Sequence, residues 1–277
     1  MARKLRYRRR SARTSGGMAA GAAILMIGVF AAVALMQRAG GFIGKVIKPQ
    51  KPLPTSALEA VSDIVRLDAQ DYYAIQFGVY ENKQAAEEKA LAYVERGAAG
   101  YIWQEEGKCR VLAAVYTSLG DAQTIKERLK SQGIDTYVLT IRQPALEMRV
   151  SASETQRALL GEIFAFLQRA VREIGDISMA LDKQTMSAQE AGERMTSMCE
   201  EANAYSRRTG TELGDDSLGV IRGIRALLDT ISEKCGDISA QNLQEELAMT
   251  AKIKYNYLEV LWNVGNFVDS VLSLGTA

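Results

Sequence analysis

The stretch Ile75-Gln76-Phe77-Gly78-Val79-Tyr80 decides the fold, because it returns 36 residues later as Val111-Leu112-Ala113-Ala114-Val115-Tyr116. At the same offset Gly97-Ala98-Ala99-Gly100-Tyr101-Ile102-Trp103 lines up with Gly133-Ile134-Asp135-Thr136-Tyr137-Val138-Leu139, and Ala86 with Ala122. Each copy opens on a β-branched and aromatic run and passes through a stretch rich in Ala, Glu, Lys and Gln. It then halts at a glycine and closes on a second short apolar run. Gly97 and Gly133 stand where a helix end wants a residue tolerant of positive φ. Each half therefore reads β-α-β. The joint Gln104-Glu105-Glu106-Gly107-Lys108 is short and glycine-containing, as in a β-hairpin.

Two fused halves give βαββαβ, a four-stranded antiparallel sheet with both helices on one face and the other face open. Strand alternation sends Ile75, Phe77, Val79, Val111, Ala113 and Val115 toward the helices. The open face then receives Gln76, Gly78 and Tyr80, with Arg110, Leu112, Ala114 and Tyr116. Amides, cations and aromatic rings in one surface suit a sugar polymer, which offers polar groups for hydrogen bonds and apolar ring faces for packing.

Outward toward the N-terminus, 24 uncharged residues separate Arg13 from Arg38, and Met18–Met36 is dominated by Ala, Ile, Leu, Val, Met and Phe. As a helix this run would span about 36 Å, enough to cross a bilayer core. Seven basic residues precede it (Arg3, Lys4, Arg6, Arg8, Arg9, Arg10 and Arg13). The expectation is a cytoplasmic basic tail over 1–15 and a transmembrane helix over 16–37. The protein is then single-pass in the cytoplasmic membrane, with its C-terminal bulk extracytoplasmic. Residues 38–69, with Pro49, Pro52 and Pro54, read as a tether. Leu58, Val61, Ile64, Val65 and Leu67 hint at a short helix at its end.

Outward toward the C-terminus, no proline follows Pro144. Leu160, Ile163, Leu167, Ala170, Ile174, Ile177 and Leu181 recur at spacings of three and four, the pattern of a packed helical stripe. Ser151-Ala152-Ser153-Glu154 offers a capping box ahead of it. The stripe continues through Tyr205, with a division expected near Thr185–Ser187. Further helices are expected over Asp216–Lys234 and Ser239–Leu272. Residues 144–277 thus read as an all-α bundle or coiled coil, available for a protein partner or self-association. The fold class expected for the whole is α+β: a transmembrane helix, a βαββαβ unit over 70–143, then the helical region.

Composition narrows function. Eleven of the 34 Lys and Arg fall in the first 51 residues and no Asp or Glu precedes Glu59, so the remainder carries a net charge of −10. Such a body is a poor partner for nucleic acid, whose binding rests on cationic contacts to phosphate. With no histidine in the chain, the Ser/His and Cys/His nucleophile pairs and the usual zinc ligands are missing. No enzyme activity, catalytic residue, metal site or cofactor is expected. Cys109, Cys199 and Cys235 fit no metal knuckle, although Cys199 and Cys235 could bridge neighbouring helices.

Tyr73-Ala74-Ile75-Gln76-Phe77-Gly78-Val79-Tyr80, with Gly107-Lys108-Cys109-Arg110-Val111, resembles the Q-x-G-x-aromatic first strand and the G-x-x-R-V start of the third strand of the sporulation-related repeat (SPOR) family. The similarity covers about a quarter of the chain. It implies binding of peptidoglycan glycan strands, notably those stripped of stem peptides at division septa, in cell division, sporulation or organisation of the cell wall. Glycan contacts are then expected from Gln76, Gly78, Tyr80, Lys108, Arg110 and Tyr116, above all Gln76 and Arg110. The alternative is an extracytoplasmic assembly scaffold that uses the βαββαβ unit and the helices to bind protein.

Overall fold

A computed structural model describes residues 22–26, 62–214, 219–240 and 246–274. Its larger sheet is built from β3 (Gln70–Tyr80), β4 (Tyr101–Glu105), β5 (Lys108–Tyr116) and β6 (Tyr137–Gln143). All neighbours are antiparallel in the order β4-β5-β3-β6. Helices α1 (Lys83–Val94) and α2 (Leu119–Ser131) connect β3 to β4 and β5 to β6. Each starts on a side-chain cap, Asn82 accepting from the Gln84 amide and Ser118 from the Asp121 amide. Capping of this kind satisfies a backbone donor that the first turn leaves free.

The two helix ends repeat as faithfully as the sequence. The amide of Gly97 donates to Val94 and that of Ala98 to Tyr93; 36 residues on, Gly133 donates to Lys130 and Ile134 to Leu129. Gly97 and Gly133 take φ of +81° and +76° to do so, a conformation that costs a side-chain-bearing residue energy.

The N-terminal expectations are corrected. Ala22–Met26, in the middle of the supposed span, form strand β1, paired in parallel with β7 (Leu146–Ser151). Among the described residues no helix is long and apolar enough to cross a membrane. The transmembrane helix over 16–37 falls with these two findings, and so do the single-pass placement and the orientation drawn from it. The rest of that segment, the basic tail over 1–15 and most of the tether lie outside the described residues.

The hinted helix before the repeat is likewise a strand, β2 (Ser62–Leu67), antiparallel to β7 on its other edge. The reason lies in period-two burial. Val65 and Leu67 point inward with Leu146, Met148 and Val150, whereas Ile64, Arg66, Glu147 and Arg149 point outward. β-Branched residues in such alternation favour a pleated strand over a helix. With β1 and β2 on either side, β7 has no free edge, the arrangement that protects a strand from stray pairing. Residues 144–277 therefore begin with a strand and are not all helical.

Four helices follow: α3 (Glu154–Asp182), α4 (Ala188–Glu212), α5 (Gly219–Ala240) and α6 (Glu246–Leu274). The capping box sits at Ser153 with Gln156, two residues past the expected start. The α3–α4 division falls at Lys183–Ser187, where Gln184 takes φ of 55°. α5 runs through Gly236-Asp237 as far as Ala240, so the break expected at that glycine does not occur there.

One core joins the large sheet, β2 and β7 to the four trailing helices, while α1 and α2 cover the other sheet face over two smaller buried clusters. Tyr72, Ala74, Leu112 and Val115 of the large sheet share a buried cluster with β2, β7 and the inner stripes of α3 to α6. The sheet face expected to be open is thus sealed over much of its area by the trailing helices. This requirement explains the apolar character of α6, which buries Ile253, Tyr257, Leu258, Val260 and Val264 between bundle and sheet.

A buried charge cluster clamps the same junction. The Lys254 ammonium donates to Asp182 Oδ1 at 2.7 Å and to the Gly97 carbonyl at 2.9 Å, while the Tyr116 hydroxyl donates to Asp182 Oδ2 at 2.8 Å. Arg128 donates to the Asp182 carbonyl at 2.8 Å. Burial, and then the Asp182 charge, push the Tyr116 hydroxyl well above its ordinary value, so it stays a donor.

The three cysteines are free thiols, with Cys109 and Cys235 buried and Cys199 partly exposed. Native alkylation is expected to modify Cys199 alone, and denaturation to expose all three, counted by mass spectrometry. Burial first, then Cys199, push the Cys235 thiol up to about 12. Because the unfolded thiol ionises near pH ~8.5, the neutral form is favoured by the fold. That stability is fully present below pH ~8.5 and is lost as pH rises toward 12. Urea denaturation across this window should show a shallower alkaline decline for Cys235→Ala than for the native chain.

Candidate functional site

Of the six residues expected to contact glycan, the structure brings three to one face. Gln76, Lys108 and Arg110 share the surface opposite α1 and α2, together with Tyr101, Trp103 and Glu105 of β4. This follows from the register Trp103↔Arg110 and Glu105↔Lys108 and from strand alternation. Across the sheet, Val79 pairs with Arg110 and Tyr137 with Gln76.

Gly78, Tyr80 and Tyr116 are corrected to the other face. The cause is a pair of irregularities in the β3–β5 ladder, one on each side of Gln76. Ala113 is the extra residue on β5 and Phe77 the extra residue on β3, and an extra residue reverses the alternation beyond it. Tyr116 and Ala114 consequently pack with Ala122 and Ile125 of α2, while Tyr80 packs with Ala86 and Ala90 of α1. Val115, expected on the helix face, joins the bundle core. Val79 is exposed rather than facing a helix. Phe77 keeps its expected side, stacked on Tyr93 at 3.7 Å between centroids.

Gln76 and Arg110, 34 positions apart, are partners. Arg110 Nη1 donates to Gln76 Oε1 at 3.0 Å and its Nε donates to Glu105 Oε2 at 3.2 Å. The guanidinium also lies 5.9 Å from the Trp103 ring centroid. Gln76 is only 7% exposed. Its oxygen is committed to Arg110, which leaves the Nε2 hydrogens as donors with no acceptor among the described residues. Lys108 stands at the exposed rim, just past the hairpin turn at Glu106 and Gly107, both at positive φ.

Sequence reasoning missed the aromatic half of the surface. Trp103 meets Trp262 of α6 edge to face, with centroids 5.5 Å apart, and Tyr101 meets Tyr255 in the same way at 5.3 Å. The sheet edge and the helix therefore carry two matched ring pairs in a row. Burial, then Glu259 and Tyr255, raise the Tyr101 hydroxyl far above its ordinary range, so it remains a donor beside the Glu259 carboxylate. A signal existed: Tyr255 and Trp262 are seven apart on one helix, and Tyr101 and Trp103 two apart on one strand, spacings that place each pair on a single side. What the sequence lacked was the docking of α6 on β4.

Between this row and the sheet centre lies a cleft of about 150 Å³, walled by Tyr72, Trp103, Leu112, Ile141, Leu261 and Trp262. At the opposite end of the face Tyr137 is 66% exposed. The exposed part of the face is thus a band running from Tyr255 past Trp262 and Trp103 to Arg110 and Tyr137, with the buried Gln76 between the last two. Among the described residues no group of three or more acidic or cysteine side chains is placed to hold a metal ion.

No family model, curated protein or solved structure matches the chain. The band itself must carry the functional argument.

Proposed function

We propose that this protein is a non-catalytic binder of peptidoglycan glycan strands, acting in cell division, sporulation or organisation of the cell wall, and that the strand lies along the aromatic and polar band of the large sheet. The observation that carries the reading is the Arg110–Gln76 hydrogen bond beside the Trp103 ring. The Gln76 amide, itself buried, holds the Arg110 guanidinium next to an aromatic wall, with the exposed Tyr137 ring across the sheet from Gln76. A glycan offers matching groups, hydroxyl and acetamido oxygens for the Gln76 and Arg110 hydrogens and C–H faces for the tryptophans. The resemblance of Gln76, Gly78 and Arg110 to the SPOR pattern supports the same class of ligand. The band is narrower than a fully open sheet face, because α6 occupies the part over Leu112 and Ala74.

Co-sedimentation of the full chain with purified sacculi, before and after amidase treatment, tests this. Binding is expected to fall about tenfold or more for Arg110→Ala and for Trp103→Ala, as for buried anchor residues at other interfaces. Tyr80→Phe, altered on the far side of the sheet, should bind as the native chain does. Retention of full binding by both band variants, or no sedimentation of the native chain, would remove glycan as the ligand and leave protein-protein assembly through the same rings.

A further inference from the structure

A second cleft, of about 280 Å³, opens where the β2–β3 turn, the end of β6 and the middle of α3 converge. Its floor is apolar, formed by Tyr72, Leu167 and Val171, all buried. Its rim is polar and carries both signs of charge, with Arg172, Asp176 and Asp68 alongside the amides of Gln143 and Gln168. Tyr72 also lines the cleft beneath α6, so it stands in the wall between the two.

The rim charges are unspent. Arg172 and Asp176 are one helical turn apart, the spacing at which opposite charges on a helix usually pair. Elsewhere in this protein that spacing closes, at 3.3 Å for Lys83 and Glu87, 2.8 Å for Glu190 and Arg194, and 2.8 Å for Arg208 and Glu212. Among the described residues Arg172, Asp176 and Asp68 form no ion pair or hydrogen bond, and neither amide of Gln143 and Gln168 does. An anion-binding fork and two carboxylates therefore face one small space across an apolar floor, with amides between them.

We infer that this cleft binds an amino-acid or short-peptide end group carrying both a free carboxylate and a free ammonium, with Arg172 taking the carboxylate and Asp176 and Asp68 the ammonium. A guanidinium grips a carboxylate through two parallel hydrogen bonds. The volume lies just below the range of drug-sized pockets, which suits one or two residues and excludes a longer peptide from full burial. Such a group comes either from a free peptide or from a stem peptide attached to wall glycan. The site is separate from the aromatic band and does not depend on the glycan reading.

The test is a nuclear magnetic resonance titration of the isotopically labelled full chain with alanyl-alanine. Saturable shifts are expected in the amides of residues 67–70 and 167–176, with affinity about tenfold weaker for Arg172→Gln and for the C-terminally amidated dipeptide, and weaker again for the N-acetyl form. Arg172 lies on the surface, so its substitution leaves the fold intact, and Arg110→Ala should leave the titration unchanged. Absence of saturable shifts at millimolar dipeptide, or equal shifts in Arg172→Gln, overturns the proposal. Sacculi separate the sources: tighter binding to intact than to amidase-stripped wall, lost in Arg172→Gln, assigns the stem peptide. Equal binding to both, with the dipeptide titration retained, assigns a free peptide.

Discussion

Asp182→Ala is expected to lower the free energy of unfolding by about 3–5 kcal/mol, the usual cost of removing one member of a buried ion pair. The Asp182 and Lys254 side chains are each only 7% exposed. Truncation leaves the Lys254 ammonium facing the Gly97 carbonyl without a counter-charge and strips the Tyr116 hydroxyl of its acceptor. The penalty arises chiefly from that stranded charge, not from the net worth of the pair. Asp182→Ala combined with Lys254→Met should therefore cost much less than the sum of the two single changes. Nearby, Lys183 pairs with Asp121 at 2.9 Å on an exposed surface, and Lys183→Ala should cost at most about 1 kcal/mol. Urea denaturation followed by circular dichroism measures all four variants. An Asp182→Ala chain as stable as the native one would mean that the cluster does not clamp the sheet to the bundle.

The second large effect is expected at Gly175→Ala, a loss of about 1–3 kcal/mol through overpacking. A methyl group built there would lie 2.7 Å from the Tyr257 hydroxyl and 3.0 Å from its Cζ. Neither side has room to move, since Gly175 is on the buried stripe of α3 and Tyr257 is fully enclosed. Among the described residues the Tyr257 hydroxyl has no hydrogen-bond partner. Tyr257→Phe should then be neutral or stabilise by up to about 1 kcal/mol, because an unsatisfied buried donor is removed without a cavity. In the Tyr257→Phe background the Gly175→Ala penalty should shrink but persist, as the ring carbon still crowds the new methyl. Thermal unfolding of the four members of this cycle decides it; equal penalties in both backgrounds would place the strain elsewhere.

What could be read in advance, and what could not, divides along the range of the interactions. The 36-residue repeat and the stops at Gly97 and Gly133 are local chemistry, and so is the stripe of α3. The errors were non-local. Ala22–Met26 is apolar enough to suggest a helix, but its partner is a strand more than a hundred residues away. Nothing in five residues of Ala, Ile, Leu and Met announces that pairing. The alternation argument failed at Tyr80 and Tyr116 because each lies beyond an extra residue in its ladder, and a single such insertion reverses every side chain after it. Gln76 and Arg110 were placed on the right face because they sit close to the irregularities but before the reversal affects their side. The covering of Leu112 by α6 was hidden for a related reason: a sheet face that alternates Tyr72, Ala74 and Gln76 looks half-polar until the helix that hides its apolar part is known.

The sealing of Tyr72, Ala74, Leu112 and Val115 beneath α3 and α6 means that the repeated unit is not a portable module. Cut free at its boundaries, it would carry an oily wall into water and lose the counter-ion of its clamp, and it should clump or exchange pieces with its neighbours. Transplanting the sheet onto another protein would require bringing the last helix along, since the rings of Tyr255 and Trp262 travel with that helix. Sheet and bundle are in this sense a single heritable unit, to be shuffled together or not at all.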